Sequence, residues 1–338
     1  MNQSCHNSNS EINFLSELSP TEISWDQHRS MAEDLAVLYN RNIKFGKYAD
    51  RINGCSGYLK FGVDADQGKL VLKEVWFCRC RYCTVCQWRR TLKMRAMMYQ
   101  NIDKIIQSYP THRWVFLTLT VKNPHVSDTR QTLKDMNDGW KRMIQSKRFK
   151  GVVDGFIRTT EITRPEKKSE RMNVHPHFHA MLLVKSTYFK GSNYINQAEW
   201  TDMWIKAMRL DYYPSVDIRA VKPNPRKTVD ENKSKLHGAV LETFKYSIKP
   251  SDMLAYDDSG EWLHEITTQT HKMRFIATGG VLKGILKSDD EITNEDMIHI
   301  TDDDLERSED NGERIGFSYM AQYRRYVYNP KLNEYAEP

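Results

Sequence analysis

Short segments in which apolar and polar residues alternate predict the β-strands of this chain. Arg113–Lys122 is an example, because aromatic and β-branched residues alternate along it. The other predicted strands are Val152–Thr163, His177–Val184, Val216–Val221 and a C-terminal candidate at Phe317–Tyr328. A charged, proline-containing turn separates the second strand from the third, which predicts that these two form a hairpin.

Other segments repeat their apolar residues at helical spacing. In residues 129–147 the apolar positions fall near one face of an amphipathic helix. The predicted helices are Met31–Tyr39, Trp88–Ser108, 129–147, Gln197–Met208 and 238–249. Ser30 can cap the first of these helices, and Pro250 ends the last.

Strands that alternate with helices, and include a hairpin, predict an α+β fold with a central antiparallel β-sheet flanked by helices. We divide the chain into four parts. Residues 1–50 form a polar N-terminal extension, and residues 51–108 a cysteine-rich module with a basic helix. Residues 109–287 form the sheet domain, and residues 288–338 contain an acidic run and the last strand.

The composition narrows the class of protein. With 338 residues the chain can bury one large core or two ordinary ones. No run of about 18 apolar residues occurs, so we expect no membrane-spanning helix. The first residues resemble no secretion signal, and we therefore expect a cytoplasmic protein. In that reducing compartment, clustered cysteines bind metal more often than they form disulfides.

The formal net charge of +6 conceals an uneven distribution. Residues 289–313 contain twelve acidic residues and one basic residue, a balance of −11, so the rest of the chain carries +17. A basic body favours a polyanionic partner such as DNA, although two solvated faces would give the same balance. Our hypothesis is that the acidic run limits non-specific DNA binding.

Two histidines in one predicted strand are candidate metal ligands. His177 and His179 share a strand face, because side chains alternate between faces. Glu161, on the preceding strand, would lie beside them in a hairpin, and two imidazoles with a carboxylate leave coordination positions open for a phosphate. A polar edge with hydrogen-bonded histidines is the alternative. His175 stays open as a ligand, because Pro176 disturbs the strand geometry beside it.

A tyrosine between charged residues is the candidate nucleophile. Glu242, Tyr246 and Lys249 would share one face of the predicted helix 238–249. Lys245 and Lys249 would favour the phenolate, and Glu242 could act as a general base for water. A surface helix with a buried tyrosine ring is the alternative. Taken with the histidine strand, these residues supply metal, nucleophile and base for phosphoryl transfer.

Four cysteines fall within residues 78–86, and a fifth, Cys55, lies upstream. Four thiolates suit a closed, structural Zn²⁺ site. The ligands that we choose are Cys55, Cys78, Cys83 and Cys86. Cys80 could replace Cys55 or Cys78. Basic side chains expected to contact DNA phosphates are Arg89, Arg90, Lys93 and Arg95 on the next helix and Lys245 beside the tyrosine.

Together, these motifs resemble those of rolling-circle plasmid replication initiators of small Gram-positive plasmids, within the HUH endonuclease superfamily. The resemblance runs from roughly Cys55 to Leu286. Its motifs are Phe116–Thr120 followed by Asn123, the metal motif His177-Phe178-His179, the nicking motif Glu242-x-x-Lys245-Tyr246-x-x-Lys249 with Asp252, and the cysteine knuckle with Trp88-Arg89.

The resemblance implies an HUH-like sheet that carries the metal motif, a tyrosine on a neighbouring helix and an N-terminal zinc knuckle. Tyr246 would attack a phosphodiester at the plasmid's double-strand origin, which leaves a 5′-phosphotyrosyl bond and a free 3′-hydroxyl for a host polymerase. Glu242 would activate water for the terminating cleavage, and Lys249 would orient the phenolate. The metal, held by His177, His179 and Glu161, would be Mg²⁺ or Mn²⁺.

The implied partners are origin DNA and the host helicase, polymerase and single-strand binding protein, with a possible homo-oligomer. Three alternatives stay open at the level of sequence. The first is an HUH transposase or relaxase with the same chemistry, and the second is a non-catalytic, zinc-containing DNA-binding regulator. The third is a generic metal phosphodiesterase, which would leave no protein–DNA adduct.

Overall fold

A computed structural model of the chain describes residues 12–63, 69–221, 229–256, 260–287, 291–301 and 314–333, without the side chains of 229–235. The strands in chain order are β1 (Tyr58–Val63), β2 (Leu70–Val75), β3 (Arg113–Thr120), β4 (Val153–Thr163), β5 (His175–Val184), β6 (Val216–Val221), β7 (Ile276–Gly280), β8 (Arg314–Met320) and β9 (Arg325–Tyr328).

The helices in chain order are α1 (Leu15–Leu18), α2 (Ile23–Asn40), α3 (Gly46–Gly54), α4 (Thr84–Ser108), α5 (Thr129–Gln145), α6 (Lys147–Val152), α7 (Gln197–Met208), α8 (Val229–Thr243), α9 (Pro250–Met253), α10 (Glu261–Gln269) and α11 (Asn294–Ile298). None of the helices within the described ranges is long and apolar enough to cross a membrane.

The larger sheet has five strands in the order β6-β3-β5-β4-β7, and every neighbouring pair is antiparallel. This confirms the predicted antiparallel sheet, its hairpin β4–β5 and its strand β6. The sequence did not predict β7, whose residues Ile276–Gly280 end in two glycines and lack a clear alternation. In β5 the ladder continues through Pro176, which pairs with Ile162.

Helices α5 and α7 cover one face of this sheet. The Phe178 ring, from β5, meets Trp140 of α5 at 6.4 Å and Trp204 of α7 at 6.2 Å between ring centroids. Gly139 allows the two helices to approach closely, because a Cβ atom there would lie 2.3 Å from the Met208 sulfur. Aromatic burial of this kind supplies much of the core's stability.

A second, four-stranded sheet has the order β2-β1-β8-β9. The sequence analysis missed β1 and β2, and its single strand Phe317–Tyr328 is wrong. That segment is a hairpin, in which residues 321–324 form the turn and Arg324 takes a positive φ of 52°. The C-terminal hairpin therefore pairs with the strand that follows α3, and it closes the sheet beside the cysteines.

Two predicted helices differ most from the structure in their bounds. Helix α2 begins at Ile23 rather than Met31, and Ser30 lies inside it, where its hydroxyl accepts a hydrogen bond from Arg324 instead of capping a terminus. Helix α8 ends at Thr243 rather than at 249. Residues 1–50 are therefore more than a polar extension, because the described part contains a long helix that packs against α4.

Candidate metal and tyrosine site

The three predicted metal ligands meet on one face of the larger sheet. Glu161 lies directly across the β4–β5 ladder from His177. The Nε2 atoms of His177 and His179 each lie 2.8 Å from the same Glu161 oxygen, Oε2. All three residues are buried, with 4 to 9 % exposure. The hairpin thus brings together the two imidazoles and the carboxylate that sequence reasoning selected.

The outer nitrogens of both imidazoles have partners of their own. The Nδ1 atom of His177 lies 3.1 Å from the His175 carbonyl oxygen, and the Nδ1 atom of His179 lies 3.3 Å from the Thr118 hydroxyl. Such contacts orient an imidazole so that its other nitrogen faces a metal. The donor set therefore fits a divalent cation. His175 is not a member of this group, although it lies on the same strand.

Burial and hydrogen bonding shift the pKa of Glu161 in opposite directions. Burial alone would raise the pKa of Glu161, but hydrogen bonds from the His177 and His179 imidazoles outweigh it and hold that pKa well below its ordinary value. Burial lowers the pKa of the His179 imidazole. An ionised carboxylate beside neutral imidazoles is the protonation state in which all three side chains can bind a cation.

Three hydrogen bonds join the segment that contains Tyr246 to β4 and to the residue that follows this strand. The Thr159 hydroxyl donates to the Thr243 carbonyl at 2.7 Å, and the Ile162 amide donates to the Ser247 carbonyl at 2.8 Å. The Arg164 amide then donates to an Asp252 carboxylate oxygen at 3.2 Å. These bonds hold the segment that contains Tyr246 alongside β4. The segment therefore lies next to the strand that carries Glu161, a candidate metal ligand.

The helical face predicted for Glu242, Tyr246 and Lys249 is wrong. Helix α8 ends before Tyr246, because the Arg95 guanidinium, from α4, binds the carbonyl oxygens of Leu241 and Phe244 at its C-terminus. An arginine here also interacts favourably with the helix dipole. Tyr246 therefore lies in the connection between α8 and α9.

The other charged residues of this motif lie apart from the tyrosine hydroxyl. Glu242 is in the last turn of α8, half-exposed, and pairs with the Lys245 ammonium at 2.5 Å. Lys249 is exposed and precedes Pro250 at the start of α9. Among the described residues, no hydrogen bond joins either lysine to Tyr246.

His28 is the residue beside Tyr246 that the sequence analysis missed. Its Nε2 atom lies 3.4 Å from the Tyr246 hydroxyl. Burial raises the pKa of Tyr246 to about 12, while the Arg95 guanidinium opposes that effect. No motif marks His28 in the sequence, because it lies on α2, more than 200 positions before the tyrosine. A search for histidines near metal-ligand spacing could not have found it.

The four cysteines chosen as zinc ligands form one buried cluster. Cys55 follows α3, Cys78 and Cys83 lie before α4, and Cys86 is in its first turn. The Cys86 sulfur lies 3.6 Å from that of Cys55 and 3.7 Å from that of Cys78. Cys80 is not a member, but its backbone amide donates to the Cys78 sulfur at 3.4 Å. Cys5 lies outside the described residues.

Several predicted DNA-contacting cations have protein partners. Arg89 donates to the carbonyls of Met297 and Ile298, and the Lys93 ammonium donates to that of His299. Both side chains are 8 % exposed, because α11 covers them. Arg90 donates to nearby carbonyls too, but it lines a small cavity that Lys245 and Thr159 also line.

Comparison with known proteins identifies the family. A family model described as "Replication protein" matches residues 69–327. A "Protein rep" of Bacillus amyloliquefaciens is 38 % identical over 253 residues, which is 72 % of this chain and 73 % of the relative. A "Protein rep" of Streptococcus pneumoniae is 32 % identical over 312 residues, which is 91 % of this chain and 92 % of the relative.

A third relative, a "Protein rep" of Lactiplantibacillus plantarum, is 35 % identical over 285 residues, or 82 % of this chain and 85 % of the relative. No solved structure matches the chain. The HUH fold therefore stays a prediction. The family match and these relatives nevertheless confirm the resemblance to plasmid replication initiators, and the chain belongs to the replication-protein family.

Proposed function

We propose that this chain initiates rolling-circle replication of a plasmid by nicking one DNA strand at the double-strand origin. The observation that carries the proposal is a set of hydrogen bonds between the segment that contains Tyr246 and β4. This strand also carries Glu161, which forms a cluster with His177 and His179. A generic phosphodiesterase needs no tyrosine-bearing segment hydrogen-bonded to the strand of its metal ligands. A DNA-binding regulator needs no buried carboxylate between two imidazoles.

Tyr246 is the nucleophile in this mechanism. Its hydroxyl oxygen attacks the scissile phosphorus, a bond forms between that oxygen and phosphorus, and the bond from phosphorus to the 3′-oxygen breaks. The protein keeps the 5′-phosphate as a phosphotyrosine, and the strand keeps a 3′-hydroxyl that a polymerase can extend. The bond energy of the phosphodiester is conserved, so a later hydroxyl can reverse the step.

Glu161, His177 and His179 would hold Mg²⁺ or Mn²⁺. A divalent cation bound there supplies Lewis-acid stabilisation of the charge that grows on the phosphate oxygens. The protein holds both imidazoles through their outer nitrogens and so fixes the direction in which the ligands point. Burial of the cluster excludes bulk water from the phosphate.

Two charged residues of the motif would assist the reaction. Glu242, half-exposed one residue before the end of α8, would accept a proton from the water that terminates the reaction. The exposed Lys249 would stabilise negative charge near the phenolate or phosphate once DNA is bound. Arg90 and Lys245 line one cavity near β4 and would bind a flanking phosphate.

The cysteine cluster would hold Zn²⁺ as a structural ion. It joins the end of α3 to the start of α4, the helix that carries Arg95 and Trp88. Four thiolates leave no open coordination position, so this ion takes no part in the chemistry. Origin DNA is the proposed partner, with the host helicase, polymerase and single-strand binding protein acting at the nicked end.

Covalent capture tests this function. Supercoiled plasmid that carries the gene and its own origin is incubated with the protein and Mn²⁺, and the products are separated by denaturing electrophoresis. The expected result is a protein–DNA adduct that Tyr246→Phe abolishes. Tyr213→Phe, at an exposed tyrosine elsewhere, is the matched control and should form the adduct normally.

Two results would overturn the proposal. Nicked plasmid without attached protein would indicate a hydrolytic phosphodiesterase. An adduct of normal yield from Tyr246→Phe would place the nucleophile elsewhere.

A further inference from the structure

A histidine faces the proposed nucleophile from outside the known motifs. The Nε2 atom of His28 lies 3.4 Å from the Tyr246 hydroxyl, and this is the one hydrogen bond of that hydroxyl among the described residues. Catalytic hydrogen bonds are often long before substrate binds. The rings meet edge to face with centroids 6.1 Å apart. His28 also precedes the segment that the family model matches, residues 69–327.

The His28 ring is held firmly in this position. It stacks on the Trp88 indole, with ring centroids 4.7 Å apart and an angle of 22° between the planes. Trp25, one turn earlier on α2, meets the same indole edge to face at 4.9 Å. The Arg89 guanidinium lies over both indoles, at 5.2 and 5.3 Å from their centroids. Such packing restricts the imidazole to one orientation.

The contacts of the ring leave it free to exchange a proton. Its other nitrogen, Nδ1, is buried and has no hydrogen-bond partner within the described residues. Among the residues that the structure describes, no carboxylate forms a hydrogen bond with the His28 ring or with the Tyr246 hydroxyl. The charged group beside the phenol is Arg95, from α4, which cannot accept a proton. Among the described residues, His28 is therefore the one side chain in hydrogen-bond contact with the Tyr246 hydroxyl that can accept its proton.

We infer that His28 accepts the Tyr246 proton during nicking, an assignment that rests on the proposed function. As the bond between Oη and phosphorus forms, the phenol proton moves to Nε2 of His28. The bond to the 3′-oxygen breaks, and that oxygen takes a proton from solvent. The imidazolium then releases its proton to solvent, so the step is balanced without another reactant.

Burial explains why the proton moves during attack rather than before it. In the protein without DNA, burial lowers the pKa of His28 to about 4 and raises the pKa of Tyr246 to about 12, so the phenol keeps its proton. At neutral pH the imidazole is uncharged and can accept. A phosphodiester at Tyr246 adds negative charge nearby, which favours the imidazolium.

The rate of adduct formation under single-turnover conditions tests this role. His28→Gln keeps a hydrogen-bonding side chain but removes the base, and we expect adduct formation to be about 100-fold slower, at the lower end of general-base effects. His112→Gln is the matched control. His112 is a half-buried histidine with one side-chain partner, Asp154, far along the chain from the tyrosine motif.

A second measurement separates proton transfer from a structural role. Tyr246 is replaced by 3,5-difluorotyrosine, whose phenol is a stronger acid and needs less help from a base. The 100-fold effect of His28→Gln should then shrink to a few-fold. In the metal-free protein, the ¹⁵N resonance of His28 Nε2 should also shift on Tyr246→Phe. Both readouts would be unaffected if His28 only fills space.

The outcomes distinguish this inference from the proposed function. A parent protein that forms no adduct would contradict the proposed function itself. A parent that forms the adduct, with His28→Gln as fast as His112→Gln, would overturn the role of His28 alone. An equal loss in the tyrosine and difluorotyrosine proteins would also overturn it, because proton transfer would then not be the step affected.

Discussion

The Ser247 carbonyl oxygen accepts a hydrogen bond of 2.8 Å from the Ile162 backbone amide. This contact joins the residue after Tyr246 to the residue after Glu161. Strand β7 pairs with β4 from Gly155 to Thr159. Farther along the same edge of β4, the segment that contains Tyr246 lies beside the strand instead. The proposed nucleophile is thus one residue away from a backbone hydrogen bond to the strand that carries Glu161, the proposed carboxylate ligand.

The Thr159 hydroxyl provides a test of this positioning. Thr159→Val removes the bond to the Thr243 carbonyl while keeping the shape of the side chain. A buried carbonyl left without its donor costs about 1–3 kcal/mol, so the free energy of unfolding should fall by that amount. Adduct formation should slow as well, because the end of α8 is released from β4. Urea denaturation and covalent capture measure the two effects.

Thr160→Val is the matched control for that substitution. Thr160 is adjacent on β4, is buried to a similar extent and makes no side-chain hydrogen bond within the described residues. Its stability and its rate should change less than those of Thr159→Val. Equal effects from the two variants would contradict a specific role for the Thr159 contact.

Removal of the carboxylate from the metal cluster should weaken cation binding. Glu161→Gln replaces the anionic oxygen on which both imidazoles converge, and we expect Mn²⁺ affinity to fall by about 100-fold or more. The appearance of free Mn²⁺ in electron paramagnetic resonance titrations measures that affinity. His175→Gln, on the same strand but outside the cluster, should bind Mn²⁺ normally. Normal Mn²⁺ binding by Glu161→Gln would exclude this cluster as the metal site.

Metal analysis can decide between the candidate zinc ligands. Cys83→Ser should lose bound zinc and, with it, much of the protein's thermal stability, since a structural site contributes binding energy to folding. Cys80→Ser should retain one zinc per chain, because its sulfur lies outside the cluster. Inductively coupled plasma mass spectrometry on the purified variants gives the content. One zinc in Cys83→Ser and none in Cys80→Ser would reverse the assignment.

His28 should make stability depend on pH. Burial lowers its pKa from 6.5 to about 4, so between these values the unfolded chain binds a proton that the folded protein excludes. The free energy of unfolding therefore falls as the pH decreases through this window, by about 3 kcal/mol in total, since one unit of pKa difference corresponds to about 1.36 kcal/mol. His28→Gln should lose less stability from pH 7 to pH 4 than the parent.

Urea denaturation at several pH values measures this dependence. The exposed residue His271, changed to Gln, serves as the control and should keep the parent's slope. A His28→Gln slope equal to that of the parent would show that the ring is not held neutral in the folded protein.

The sequence predicted what short-range patterns encode. Strand alternation placed His177 and His179 on one face, and a hairpin was enough to add Glu161. The four cysteines chosen as ligands also form one buried cluster, although cysteine density alone did not separate Cys80 from its members. The three candidate metal ligands lie within one hairpin, so their spacing was enough to select them.

Long-range contacts account for what the sequence could not predict. Helix α8 ends early because Arg95, nearly 150 positions away, binds its last carbonyls, and no local signal before Pro250 marks that end. The pairing of His28 with Tyr246 depends on α2 packing against α4. The small sheet joins β1 to a hairpin more than 250 residues later. Secondary-structure propensity and hydrophobic periodicity depend on residues close together in sequence, so they carry no information about such contacts.

The acidic run should weaken binding to random DNA. Its described part, residues 291–301, contains α11, whose Asp296 lies 2.9 Å from the Lys287 ammonium and 3.8 Å from that of Lys93. The carbonyls after Asp296 accept hydrogen bonds from Arg89 and Lys93. The run therefore begins against Arg89 and Lys93, which we call the basic edge of α4. It places negative charge beside these cations, which would otherwise attract phosphates.

Amide substitutions in the rest of the run, at positions after α11, test this effect. The variant combines Asp302→Asn, Asp303→Asn, Asp304→Asn and Glu306→Gln. Its affinity for a random duplex should rise by roughly 10-fold at low salt, and the gain should shrink as salt screens the charges. Fluorescence anisotropy with a labelled duplex, repeated across a salt series, measures the affinity.

A charge-matched control separates a local effect from net charge. Its four substitutions are at exposed acidic residues elsewhere: Asp135→Asn, Glu166→Gln, Asp202→Asn and Asp211→Asn. In both variants the net charge rises by four, because four acidic side chains become neutral. An effect of net charge alone would therefore raise the affinity of both variants for DNA equally. A larger gain from the acidic-run variant would indicate that its charges act on the basic edge of α4. Equal gains, or none, would contradict the hypothesis, because the position of the run would then make no difference.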